Sequence, residues 1–145
     1  MENSEIETVW GPRVLSVLRI VAGLILLQYG LAKLFGWPPV DMFKNLPWLS
    51  LFGVAGMFEL IGGTLIILGL FTRPVAFVLS GEMAFAYFIE HFPRSFFPLL
   101  NHGDLAVSLC FVFLYLTFAG GGPYSLDTLL RKKGWSRDTR RRRDR

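Results

Sequence analysis

The chain has 145 residues, 52% of them hydrophobic and only 18% charged, which leaves room for one domain and excludes the polar surface a soluble domain of this length needs. Its net charge of +4 hides a split: residues Arg131 to Arg145 hold nine Lys or Arg against two Asp, and the rest of the chain holds six basic and nine acidic groups. The sequence pI of about 9.6 therefore belongs to a tail and gives no reason to expect nucleic acid as a partner.

Residues 1–13 form a short acidic N-terminus. Met1 to Trp10 contains three Glu and no Lys or Arg, the wrong start for a cleaved signal peptide. The first apolar segment, from about Val14 to Phe35, is therefore expected to stay in the mature protein. It stops at Gly36-Trp37-Pro38-Pro39. Arg19, Gly23, Gly30 and Lys33 share one of its helical faces, and Gln28 lies on roughly the opposite side.

The second segment runs from about Leu49 to Phe71. Glu59 sits near its middle, with Gly56, Gly62 and Gly63 on the same face, so that face is expected to meet another helix. Thr72-Arg73-Pro74 then makes a tight turn into a third segment, Pro74 to about Phe92, which carries Glu82. Matched depths predict that Arg19 and Glu82 pair. Pro93 and Pro98 follow, and Asn101 or Asp104 is placed to cap the fourth segment, from about Asp104 to Ala119. Gly120-Gly121-Gly122-Pro123 ends it.

Each segment approaches the ~20 residues that cross ~30 Å of hydrocarbon as a helix. The fold class is thus all-α: an integral membrane four-helix bundle with antiparallel up-and-down spans at about 14–35, 49–71, 74–92 and 104–119. Arg13, Arg73 and the basic tail fall on one side of such a bundle, and only Lys33, Lys44 and Arg94 on the other. The positive-inside rule puts both termini in the cytoplasm and the protein in the cytoplasmic (inner) membrane. The basic tail, 128–145, is too charged to fold alone and is expected to touch anionic lipid head groups.

Ionisable groups at membrane depth are costly and turn inward. Glu59, Glu82, Arg19, Gln28, Lys33, His102 and Asp104 are the candidates for handling a ligand or protons. Lys33, Glu90, His91, Arg94, His102 and Asp104 gather at the outer face. Their spacing matches no metal-ligand motif, and no metal is expected. The lone Cys110 cannot do dithiol chemistry, and there is no phosphate-binding loop, dinucleotide fingerprint, Ser-His-Asp arrangement or haem motif.

Three stretches carry a resemblance. The first is Arg19-Ile-Val-Ala-Gly-Leu with Tyr29-Gly-Leu-Ala-Lys-Leu-Phe-Gly36. The second is Glu59-Leu-Ile-Gly-Gly-Thr-Leu-Ile-Ile-Leu-Gly-Leu-Phe-Thr-Arg73. The third is Asn101-His-Gly-Asp-Leu-Ala, continuing through Leu114-Tyr to Gly120-Gly-Gly-Pro-Tyr-Ser-Leu-Asp127. Together they make residues 14–127 resemble the DoxX family of small bacterial and archaeal membrane proteins. Asp104 stands where the family often has Glu, and Tyr29 where it commonly has His. The resemblance implies four membrane helices and puts Arg19, Lys33, Glu59, Arg73, His102, Gly103 and Asp104 at motif positions.

Some members of that family are named as subunits of a terminal quinol oxidase or a thiosulfate:quinone oxidoreductase, and others are associated with thiol partners. The resemblance therefore implies a membrane subunit of a quinone- or thiol-linked redox complex, with a bound quinone or a redox protein partner. A small proton-coupled transporter using Glu59 and Glu82 is the first alternative. Because four short spans are few for alternating access, it would need a homo-oligomer. A scaffold without chemistry of its own is the second.

Overall fold

A computed structural model describes the backbone of residues 5–143 and the side chains of residues 5–134. Residues 1–4, 144 and 145, which belong to the expected acidic N-terminus and basic tail, lie outside the described residues. So do the side chains of residues 135–145, on which most of the expected lipid contact would fall.

The described residues are helical, without a strand among them. Helix α1 spans Gly11–Phe35 and follows directly on a π-helical turn, Ile6–Trp10. Pro12 sits at its first positions, where no N–H is needed. Gly36 ends it in the left-handed conformation, φ 67°, donating to the Ala32 carbonyl, while the Trp37 N–H reaches that of Leu31. A connecting loop then makes a single 3₁₀ turn, Asp41–Phe43. Helix α2, Leu51–Leu68, is capped by the Ser50 hydroxyl, which accepts the Gly53 N–H at 3.1 Å. Leu49, Leu70 and Phe71, apolar enough to extend this segment on paper, belong instead to its caps and the next turn.

Helix α3, Thr72–Ala86, runs on as a π-helical turn, Tyr87–His91. A one-turn helix α4, Pro98–Asn101, precedes α5, Asp104–Ala119. The last element, α6, is Leu126–Arg143. The backbone of the charged tail continues a helix that starts before it, at Leu126. Nucleation is the costly step of a helix, and Asp127 supplies an anchor in its first turn. Arg and Lys propagate a helix well from there.

Helix α1 packs along α2, α3 packs along α5, and α2 meets α3. Glycines set the α1–α2 distance. A Cβ on Gly30 would sit 2.5 Å from the Leu60 backbone nitrogen, and one on Gly63 would sit 2.9 Å from that of Leu27. The glycine face around Glu59 therefore does meet a neighbouring helix. Leu26, Ile66, Leu79, Phe113 and Leu116, none more than 1% exposed, fill the space between the helix pairs.

The outward faces are as apolar as the core. Phe58, Ile61, Phe77, Phe85, Phe111 and Phe118 are each at least half exposed. Contiguous apolar surface of that kind is costly in water and neutral in lipid. Among the described residues, two helices are long and apolar enough to cross a membrane: Ile6–Phe35 and Leu51–Leu68.

Candidate functional site

Two buried polar clusters lie at different levels of the molecule. The first is built on Arg19, which is fully buried. Its Nε donates to the Gly121 carbonyl at 2.9 Å and its Nη2 to that of Tyr124 at 2.7 Å. Its Nη1 donates to Ile66 and, at 2.5 Å, to Ile67. Ile66 and Ile67 are in the last turn of α2, where helical carbonyls have no partner of their own and the helix dipole favours a cation. Gly69 must be small here, because a Cβ would sit 2.9 Å from the Arg19 guanidinium carbon.

Asp127 closes the same end. Its carboxylate accepts the Phe71 and Thr72 N–H groups, each at 2.8 Å, at the start of α3. Burial alone would raise this carboxyl. The Thr72 and Phe71 donors and the nearby Arg19 charge outweigh it, and Asp127 sits below its ordinary value. Arg73 donates to the Phe118 and Thr117 carbonyls at the end of α5, at 2.7 and 3.3 Å.

The second cluster lines a cavity of about 420 Å³ between the two helix pairs. Tyr29 and Lys33 come from α1, Phe52, Ala55 and Glu59 from α2, Glu82, Met83 and Phe85 from α3, and Leu105 and Leu109 from α5. The loop residue Phe43, only 7% exposed, folds in to complete the wall. Lys33 Nζ lies 2.6 Å from Glu59 Oε1 and 5.5 Å from the centre of the Phe43 ring. Glu59 Oε2 and both oxygens of Glu82 are buried without a hydrogen-bond partner.

Glu90, His91, Arg94 and His102 line the same cavity toward its mouth. Glu90 and Arg94 form an ion pair one helical turn apart. His91 Nδ1 lies 3.0 Å from the Asn101 carbonyl. Asn101 is fully buried and ties the loop together: its Nδ2 donates to Ser95 O at 2.7 Å and its Oδ1 accepts the Gly103 N–H at 2.7 Å.

The structure thus gathers Lys33, Glu59, Glu82 and His102 around one cavity. It leaves Arg19, Arg73, Gly103, Gln28 and Asp104 out of it. Gln28 is exposed on the outer face of α1. The expected Arg19–Glu82 pair does not form. Matching depths ignored the free carbonyls at the end of α2, and these take the guanidinium instead. Lys33, expected among the groups at the outer face, reaches inward to Glu59. The expected side-chain cap on α5 is also absent: Gly103 holds the cap position, and Asn101 serves the loop before it. Asp104 lies exposed in the first turn, where a carboxylate suits the helix dipole.

Sequence reasoning missed the aromatic wall. Phe43 stands in a loop with no periodicity to mark it, and only the path of the chain brings it under Lys33. The Glu90–Arg94 spacing did carry a signal, being one helical turn.

A family model described as DoxX matches residues 14–92. A Haemophilus influenzae protein described as an uncharacterized protein is 41% identical over 127 residues, covering 84% of this chain and 94% of that protein. No solved structure matches the chain.

Proposed function

This chain belongs to the DoxX family of membrane proteins, and on that premise we propose that it spans the cytoplasmic membrane four times, with both termini inside, and holds a quinone-like ring as the membrane subunit of a redox complex. The helix lengths support four crossings. Helix α3 with its π-helical extension covers Thr72 to His91, and α5 covers Asp104 to Ala119. Arg13, Arg73, Arg131 and Lys132 at one end of the helices support the orientation. The cavity then opens outward, and the basic segment meets anionic head groups on the inner leaflet.

The cavity carries the functional reading. At about 420 Å³ it has the volume of a small-molecule site. Its walls are Phe43, Phe52, Phe85, Met42 and Met83, which suit a flat apolar ring. Its deepest charged groups converge: the Lys33 ammonium, the Glu82 carboxyl and the free oxygen of Glu59. A ring carbonyl needs hydrogen-bond donors, and its reduction needs protons at the same depth. With one cysteine and no haem motif, the chain relies on the bound ring or a redox protein partner to carry electrons.

The Arg19 cluster favours a binding subunit over a carrier. It ties α1 to the last turn of α2 and to the segment after α5, on the side of the molecule away from the cavity. Alternating access would have to break that cluster. The test is the mass of the small molecule that co-purifies in mild detergent, compared between the native chain and Glu59→Gln. A quinone present in the first and depleted in the second supports the reading. Empty native protein that neither binds added quinone nor retains a redox partner overturns it. Proton-driven uptake into liposomes, lost in Glu59→Gln, would support the transporter instead.

A further inference from the structure

The cavity holds two deep carboxylates and one ammonium, and the ammonium is already engaged. Lys33 sits on Glu59 Oε1. The other groups that face Glu82 are accounted for as well. Glu90 and Arg94 answer each other, His91 lies against the Asn101 carbonyl, and His102 is exposed at the mouth. Tyr29 on α1 completes the titratable lining, and α5 contributes only Leu105, Ala106 and Leu109. Glu82 has neither a donor nor a counter-charge of its own, and Glu59, 5% exposed, turns a second free oxygen into the same space.

We infer that a neutral ring entering this cavity takes up one proton, and that Glu82 holds it. The inference rests on the ring-binding reading and adds its proton stoichiometry. With both oxygens buried and without a donor, an ionised Glu82 is tolerable only where it can turn toward water held in the cavity. A neutral ring displaces that water. The charged carboxylate then loses its solvation, while the protonated carboxyl loses little and offers an O–H to a ring oxygen. Lys33 cannot neutralise both acids, because leaving Glu59 would strand a second buried charge. Binding and protonation therefore favour each other. Affinity is full in acid and falls by up to about tenfold per pH unit where Glu82 is ionised in the free protein and protonated in the complex. In that window the proton comes from solvent and stays within reach of the ring.

The experiment is calorimetric titration of the full chain in detergent with menadione and, separately, with 2-methylnaphthalene, a ring of the same size that lacks carbonyls. Each is run in buffers of different ionisation enthalpy across the pH range in which affinity changes. The expected result is about one proton taken up per ring bound. Glu82→Gln should bind with no uptake and with pH-independent affinity, and Glu82→Asp should restore uptake. Glu59→Gln frees Lys33 to answer Glu82, and should lose ring binding and proton uptake together. Binding by the native chain without uptake at any pH, or equal uptake in Glu82→Gln, overturns the inference and leaves the ring site standing. Binding of the naphthalene alone, with uptake, keeps the inference and removes the quinone. If neither ring binds, both fall.

Discussion

The two polar clusters obey opposite rules. At one end, each guanidinium nitrogen of Arg19 donates to a carbonyl oxygen, and Asp127 accepts from two backbone N–H groups. In the cavity, Glu82 accepts nothing and Glu59 is half answered. Buried polar groups are rarely left without partners, because each lost bond costs full desolvation. A cluster whose charged groups are all answered holds the fold. An unsaturated one in a walled cavity keeps its bonding capacity for something that enters. Both clusters contain ionisable groups buried among apolar helices, so burial alone does not separate the two roles. The partner list does.

The contrast is sharpest if Arg19 is removed. Arg19→Ala strands carbonyls at the end of α2 and after α5, and should cost about 3–5 kcal/mol, read as a large fall in Tm in detergent. Arg19→Lys should recover little, because a single ammonium cannot span the positions the planar fork reaches. Full recovery in the lysine variant would show that charge, rather than saturation, is what this end needs.

Gly30→Val tests the packing that brings Lys33 to Glu59. A side chain there collides with the Leu60 backbone, and the overpacking should cost about 1–3 kcal/mol and pull Lys33 away from Glu59. Unchanged thermal stability and ring binding would mean that the helices can separate at no cost to the site.

Asp127 brings pH into the comparison. Its carboxyl is depressed in the folded protein, so its stabilisation is present above the ordinary carboxylate range and is lost as pH falls through the folded value. Tm should therefore drop in acid. Asp127→Ala should lose about 1 kcal/mol near neutrality and flatten that part of the acid slope. An equally steep profile in the variant would assign the acid loss to another group.

The smallest effect on stability belongs to Glu82. With no hydrogen bond to lose, Glu82→Gln should shift stability by no more than about 0.5 kcal/mol. If it destabilised the chain as much as Arg19→Ala does, the division between a holding end and a binding cavity would be lost.

Much of this molecule is legible in its sequence. A glycine run and a proline pair bracket the fourth apolar segment at Asp104 to Ala119, where the helix lies. The glycines around Glu59 marked a close helix contact, because only the absence of a Cβ permits one. Apolar length and spacing are local properties, and one chain states them. The charge partners were not legible. Depth pairs Arg19 with Glu82, and the fold gives it backbone carbonyls instead. Lys33 was placed with the outer group and reached inward.

Segment positions, helix breaks and the membrane character follow from which side chains prefer hydrocarbon, and that is written residue by residue. Which buried charge is answered, and which is left open, depends on how the α1–α2 and α3–α5 pairs close on each other. It depends as well on where the Phe43 loop and the Gly121–Tyr124 turn deliver their atoms. Hydrogen bonds are short and directional, so partners far apart in the chain are chosen only when the packed helices set their distances.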